Sequence, residues 1–301
     1  MPSSSVTPKD GGRATSVRGP RPPLREEARG ALASRSPLRA AARMEQQLGR
    51  ALCIITGASR GFGRAVAKDM ARLVEPKSVF VLVARSGDEL RALQTELAAS
   101  DLDVRCAVAD LSLEGALENV VRAAKEAFSA DTRHVILVNN AAALGDVSRF
   151  AKGFTSMAEV DSYLSFNVSS ALCLTAGVLQ AFPKRSGLRR CVVNISSLCA
   201  VKPFPSWVLY CTGKAAREMM FKVLAEEEPD LRVLNYAPGP LDTDMQLVAR
   251  TKTGELSLRK TYSDMFDEGQ LLTCEASCAK LMKILLEDKY ASGDHVDFYD
   301  V

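Results

Sequence analysis

Histidine occurs only twice in the 301 residues, at 134 and 295, and the 8 cysteines, at 53, 106, 173, 191, 199, 211, 274 and 278, include no Cys-x-x-Cys pair. Without clustered His and Cys the chain carries no zinc pattern, so no metal is expected. The cysteines are scattered through apolar runs, which suits reduced, buried thiols and a cytoplasmic location. No uninterrupted apolar stretch is long enough to span a bilayer, and no secretory apolar region opens the chain, so no membrane partner is expected. Charge of one sign is also lacking. The formal net charge is +3, and residues 1–43 alone hold nine basic against three acidic residues, leaving a small acidic excess in the remainder. That balance gives no reason to expect a nucleic-acid partner.

Residues 1–43 are rich in Arg, Ser, Pro and Gly and poor in aromatic and β-branched residues, so they read as a disordered leader. Three roles fit: an organelle-targeting segment, a regulatory tail, or sequence upstream of an alternative start at Met44. Asp10, Glu26 and Glu27 speak against a transit peptide. Residues 44–301 then form one folded domain.

What is present is regular alternation. Apolar runs at 51–55, 79–84, 104–109, 134–138, 191–195, 231–236 and 295–299 read as strands. Between them, helical spacing recurs at 64–73, 88–97, 113–128, 155–182 and 210–226, with Asp88 a candidate helix cap and Pro183 and Pro229 marking exits. The stretch 247–270, polar and rich in Lys, Thr and Glu, reads as a loop over the site. The pattern predicts an α/β fold: a single doubly wound, Rossmann-type parallel sheet of about seven strands, with helices on both faces and ligands beyond the carboxyl ends of the strands.

The first strand runs directly into Thr56-Gly57-Ala58-Ser59-Arg60-Gly61-Phe62-Gly63 and then into a helix. Glycines in that turn let the backbone approach a ligand and start a helix whose free N–H groups face an anion, as a pyrophosphate requires. The second strand ends in Ala84-Arg85-Ser86, where a carboxylate would select NAD. Arg85 can instead pair with a 2′-phosphate, and Arg60 adds a second positive charge, so NADP(H) is favoured. Asp110 and Leu111, after the third strand, are placed for the adenine, and Asn139 and Ala141, after the fourth, for its ribose.

Tyr210 and Lys214 stand at i and i+4, on one helix face. An ammonium beside a phenol favours the phenolate, which predicts a lowered Tyr210 pKa. Ser197, at the mouth of the fifth strand, can hold a substrate oxygen beside that phenol.

Taken in order, Thr56-Gly57-x-x-x-Gly61-x-Gly63, Asn139-Asn140-Ala141, Asn194-Ile195-Ser196-Ser197, Tyr210-x-x-x-Lys214 and Pro238-Gly239 resemble the short-chain dehydrogenase/reductase family. One departure is Ala142, where the family commonly has glycine. The resemblance implies that a nicotinamide delivers hydride to a carbonyl carbon while Tyr210 protonates the oxygen, Ser197 hydrogen-bonds it, and Lys214 holds the nicotinamide ribose. It implies further that Asn167 completes a tetrad by anchoring a water, and that Leu241, Thr243, Asp244, Met245 and Gln246 cover the nicotinamide carboxamide. The later motifs, from Leu144-Gly145-Asp146 through Asn235-Tyr236-Ala237-Pro238-Gly239-Pro240-Leu241 to Gly293-Asp294-His295-Val296-Asp297-Phe298-Tyr299-Asp300, resemble a pterin-reducing branch of that family. This implies reduction of pterin side-chain carbonyls, those of sepiapterin and of the 6-pyruvoyl intermediate toward tetrahydrobiopterin. Asp297 would anchor the pterin, with Ser196 and Gly239 lining its site, in a homodimer. A broad-specificity carbonyl reductase would not need Asp297, and a non-catalytic NADP-binding regulator would not need Tyr210 and Lys214.

Overall fold

Strands β1 (Ala51–Thr56), β2 (Val79–Ala84) and β4 (His134–Asn139) are buried almost throughout, because helices cover both faces of the sheet they share. The computed structural model describes residues 48–113 and 115–300. The leader expected over 1–43 and the alternative start at Met44 lie outside the described residues. With β3 (Asp103–Val108), β5 (Arg189–Ile195), β6 (Leu231–Ala237) and β7 (His295–Asp297) these strands form one seven-stranded sheet in the order β3-β2-β1-β4-β5-β6-β7. Every pairing is parallel, and Ile54 of β1 sits opposite Val81 of β2 and Leu137 of β4.

Successive residues of a strand point to opposite faces, and the core divides accordingly. Cys53 and Ile55 join one cluster, closed by α1 (Gly61–Met70), α2 (Gly87–Leu97) and, late in the chain, Cys278, Leu281 and Met282. Leu52 and Ile54 join the other, closed by α3 (Ala116–Ala127) and, further on, Leu174, Val178 and Phe221. Each such aliphatic side chain contributes about 1.5–3 kcal/mol by leaving water. The rule that parallel strands cross over with one hand places the helices on both faces and leaves a crevice where the strand order reverses, between β1 and β4.

Several expectations change in detail. The helical stretch at 155–182 is three pieces, α4 (Met157–Leu164), a π turn over Ser165–Ser169, and α5 (Ser170–Ala181). This run, Met157–Ala181, is long and apolar enough by length and composition to cross a membrane, contrary to the expectation from the sequence. Its Ala171, Leu174 and Val178 are buried against the sheet, as in a core helix. The next helix, α6, spans Val208–Glu227. The stretch read as a polar loop at 247–270 is mostly two helices, α7 (Asp244–Lys252) and α8 (Leu256–Asp267). A further helix, α9 (Cys274–Glu287), was not anticipated. Asp88 is not the cap of α2; that position is Ser86, and Asp88 lies in the first turn, paired with Arg91.

Candidate active site

The glycine turn is fixed by the segment after β4. Thr56 Oγ1 accepts hydrogen bonds from the backbone N–H of Asn140 and of Ala141, both at 3.0 Å, and Asn140 Nδ2 donates to the carbonyls of Thr56 at 2.9 Å and Gly57 at 3.2 Å. Gly57 is left-handed at φ +67°, and a Cβ there would lie 2.7 Å from Asn140 Nδ2. A Cβ on Gly63 would meet the Gly57 carbonyl at 2.3 Å. At these two positions the turn is packed too closely for a side chain.

Helix α1 begins beside it with no side-chain cap and no acidic residue in its first turn. Its leading N–H groups therefore form a positive end open to an anion. Ser59 and Phe62 flank this end. Arg85 and Ser86 are exposed at the mouth of β2. Arg60 is exposed as well, and its Nη1 lies 2.7 Å from Asp244 Oδ2 at the start of α7. Two residues expected at the cofactor thus close on each other from opposite walls. These features fit a phosphorylated dinucleotide: free N–H donors, two guanidinium groups and no carboxylate at the end of β2.

Asp110 accepts from the Ser112 N–H and hydroxyl through Oδ1, which with the nearby Arg85 holds its pKa below the ordinary range. Leu111 is buried behind it. The Asn139 side chain turns inward and donates to Thr175 Oγ1 at 2.9 Å, away from the crevice.

Tyr210, Lys214 and Ser197 come together as their spacing suggests. The Ser197 hydroxyl, which accepts from the Cys199 N–H at 3.2 Å, lies beside the Tyr210 phenol. Lys214 Nζ lies 5.6 Å from the centre of the Tyr210 ring and donates to the Ile195 carbonyl at 2.6 Å. The expected lowering of the phenol pKa is not found. Burial pushes Tyr210 well above its ordinary value, with Cys199 and Tyr163 adding to the rise and Ser197 opposing it. Lys214 is itself pushed well down, first by burial and then by the Arg217 guanidinium three residues along the helix. The phenol therefore keeps its proton at neutral pH.

Asn167 sits in the π turn, where its Oδ1 accepts from the Ala143 N–H at 2.8 Å and its Nδ2 donates to the Tyr163 carbonyl at 3.0 Å. The widened turn lets one asparagine satisfy two backbone groups. Ser196 is turned away from the crevice: its hydroxyl donates to Glu218 Oε2 at 2.5 Å. Gln246, expected at the cofactor, donates to the Tyr262 carbonyl and accepts from Arg250, tying α7 to α8. Thr243 precedes α7, Leu241 makes an isolated bridge to Leu272, and Met245 packs against the apolar cluster that includes Trp207 and Tyr210. Gly239 is left-handed, and a Cβ there would meet Leu272 at 2.7 Å. Asp297 is half-buried, with Oδ1 accepting from the Tyr299 N–H at 3.0 Å.

Three contributors were not singled out from the sequence. Trp207 stacks on Tyr262 with 5.1 Å between ring centres and meets Tyr210 edge-on at 5.7 Å, so α8 supplies part of the wall beside the phenol. Arg217 is fully buried and donates to Asn194 Oδ1, the Ala141 carbonyl and the Asn139 carbonyl, binding β4 to β5 beneath the site. Glu218 takes Ser196 on one side and His295 on the other, at 3.1 Å. The only available signal was helical spacing: 210, 214, 217 and 218 share one face.

The family described as short chain dehydrogenase matches residues 51–254. The chain is 49% identical to the sepiapterin reductase of Xenopus laevis, over 84% of this chain and 97% of that protein. It is 51% identical to the sepiapterin reductase of Meriones unguiculatus, over 84% and 98%. Among solved structures, a short chain dehydrogenases/reductase from Saccharomyces cerevisiae superposes with a TM-score of 0.72 at 24% identity, covering 84% of this chain and 97% of that one.

Proposed function

Because the chain belongs to the short-chain dehydrogenase family, whose members work with nicotinamide dinucleotides, we propose that it reduces pterin side-chain carbonyls with NADPH. The observation that carries this reading is the Ser197–Tyr210–Lys214 cluster at the carboxyl end of β5, in a chain about half identical to sepiapterin reductases across nearly their whole length. Sepiapterin and a 6-pyruvoyl pterin are the substrates it implies.

The α1 N-terminus would hold the pyrophosphate, Arg60 and Arg85 the 2′-phosphate, and Asp110, Leu111, Asn139 and Ala141 the adenosine. The bound nicotinamide supplies hydride. Negative charge then grows on the substrate oxygen, where Ser197 donates a hydrogen bond and Tyr210 gives up its proton. A phenol whose pKa is raised by burial is fully protonated at neutral pH, which is the form a reduction needs at the start. Lys214, positioned through the Ile195 carbonyl, orients the ribose and returns a proton to Tyr210, with Asn167 on the route to solvent. Asp297 would accept paired N–H bonds from the pterin edge, with Ser196 and Gly239 shaping the backbone beside it and Leu241, Thr243, Asp244, Met245 and Gln246 closing the nicotinamide side.

The same reading places the enzyme in the cytoplasm as a homodimer. The free thiols support a reducing compartment, and the exposed Met157, Leu172, Met219 and Val223 on α4, α5 and α6 supply an apolar face for a second copy. The test is NADPH oxidation with sepiapterin against a simple diketone. A kcat/KM for sepiapterin about 100-fold the higher is expected. Equal values would favour a broad carbonyl reductase.

A further inference from the structure

The active site lies at the carboxyl ends of the strands, yet a cavity of about 320 Å³ opens at their opposite, amino-terminal ends. That volume falls in the range of small-molecule sites. Its lining comes from the first residues of β4, β5 and β6, from the segment between α5 and β5, and from the segment between α9 and β7. We propose that this cavity is a second binding site for a small organic anion, a phosphate or carboxylate on an apolar body.

Charge is the first argument. Lys184, Arg185, Arg189, Arg190 and Arg232 line the cavity together with Asp230 and Asp288, and Glu228 reaches Arg190 at 2.8 Å. Both carboxylates are already engaged, Asp230 by Arg190 at 2.7 Å and Lys184 at 3.3 Å, and Asp288 by Arg232 at 2.7 Å. Arg185 and Arg189 pair with no carboxylate among the described residues. Arg185 lies over the Phe128 ring, and Arg189 donates only to the Leu48 carbonyl. Among the described residues, five cations share one hollow and two of their guanidinium forks have no carboxylate partner, and a guanidinium fork matches a phosphate or carboxylate.

The second argument is burial. Arg190 is 4% exposed, and although its Nη2 is held by Glu228 and Asp230, its Nε has no hydrogen-bond acceptor among the described residues. Leaving such a donor unmet costs about 1–3 kcal/mol. The third is the field inside the cavity. His134, at its inner wall, is held neutral, with a pKa down to about 4, through burial first and the positive charge of Arg189 second. The remaining lining, including Ile136, Leu188, Leu285 and Tyr290, suits an apolar body.

The chain has two histidines, so each ring can be followed separately by NMR in the full-length protein saturated with NADP⁺, which blocks the cofactor site. Titration with phenyl phosphate is expected to saturate, to move the His134 ring signals and to raise its pKa, while His295 stays unchanged. The Arg185→Ala/Arg189→Ala variant, altered only at exposed side chains outside the active site, should keep its NADPH-dependent activity and weaken binding about tenfold or more. Inorganic phosphate should bind more weakly than phenyl phosphate. No saturable change at His134, or binding that the double variant leaves intact, overturns the proposal. Equal affinity for inorganic phosphate overturns the apolar part of it. Arg185→Glu, which reverses one charge without touching the Leu48 contact, provides the second variant and should abolish binding.

Discussion

Arg60 and Asp244 meet across the mouth of the crevice at 2.7 Å, joining the glycine turn to the start of α7. Both side chains are about 70% exposed, and an ion pair so open to water contributes little to stability. Asp244→Ala should therefore shift Tm by no more than about 2 °C. Since Arg60 is shared with a carboxylate, the choice between cofactors falls mainly on Arg85. Arg85→Asp is expected to cut the preference for NADPH over NADH by about 100-fold, measured as a ratio of kcat/KM values. An unchanged ratio would remove Arg85 from the 2′-phosphate site.

The phenol of Tyr210 has the Ser197 hydroxyl beside it and burial keeping its proton in place. Tyr210→Phe removes that proton and leaves the ring packing against Trp207 intact. We expect kcat to fall by about 10³ or more, within the span of general acid catalysis, while NADPH affinity measured by fluorescence titration stays within about threefold. A variant that keeps most of its turnover would assign the proton to another donor.

Arg217 is a buried cation with no carboxylate partner among the described residues; burial lowers its pKa to about 10, opposed by Tyr210 and Tyr163, and its guanidinium donates to three oxygen acceptors. Arg217→Met keeps an unbranched but shorter apolar side chain and removes the donor from Asn194 Oδ1 and two backbone carbonyls. Unfolding in urea should show a loss of roughly 3 kcal/mol. Arg217→Lys should recover part of it. A loss under about 1 kcal/mol would mean that the strands hold their register without this bridge.

The sheet and the approach of Tyr210 to Lys214 were legible because their signals are local. Runs such as 79–84 are apolar end to end, and Tyr210 and Lys214 are one helical turn apart. What stayed hidden depends on partners distant in the chain. Nothing near Ser196 announces that its hydroxyl belongs to Glu218, 22 residues on, or near Gln246 that its amide reaches Tyr262. Helices α7 and α8 escaped notice because their composition is polar; Trp207 stacking on Tyr262 and the Glu255 carboxylate capping α8 hold them in place instead. Tyr210 illustrates the same limit in energy. The sequence supplies the neighbouring amine, but the depth of burial, which decides the direction of the pKa shift, belongs to the fold.

Asp297 ends β7 with one carboxylate oxygen accepting from the Tyr299 N–H, and its other oxygen makes no hydrogen bond among the described residues. If that oxygen anchors the pterin, Asp297→Ala should raise KM for sepiapterin about tenfold or more and leave kcat/KM for a small diketone within about twofold. Equal losses on both substrates would show damage to the shared cleft instead.

His134 sets a pH dependence of stability whose sign follows from its burial. Its pKa is about 4 in the fold and 6.5 as an ordinary side chain. Above pH 6.5 neither state binds the proton, and His134 contributes no slope. As pH falls from 6.5 to about 4 the unfolded chain takes up the proton and the folded one does not, so stability declines by roughly 3 kcal/mol over that window and then levels. Carboxylates also titrate there, so the measurement is a comparison with His134→Gln, whose amide can still donate to the Leu48 carbonyl that Nδ1 engages at 3.2 Å. The stability of the wild type relative to this variant should fall by about that amount between pH 7 and 4 in urea unfolding. Parallel curves would place His134 in contact with water, and a gain for the wild type would mean that its charged form has a partner in the fold.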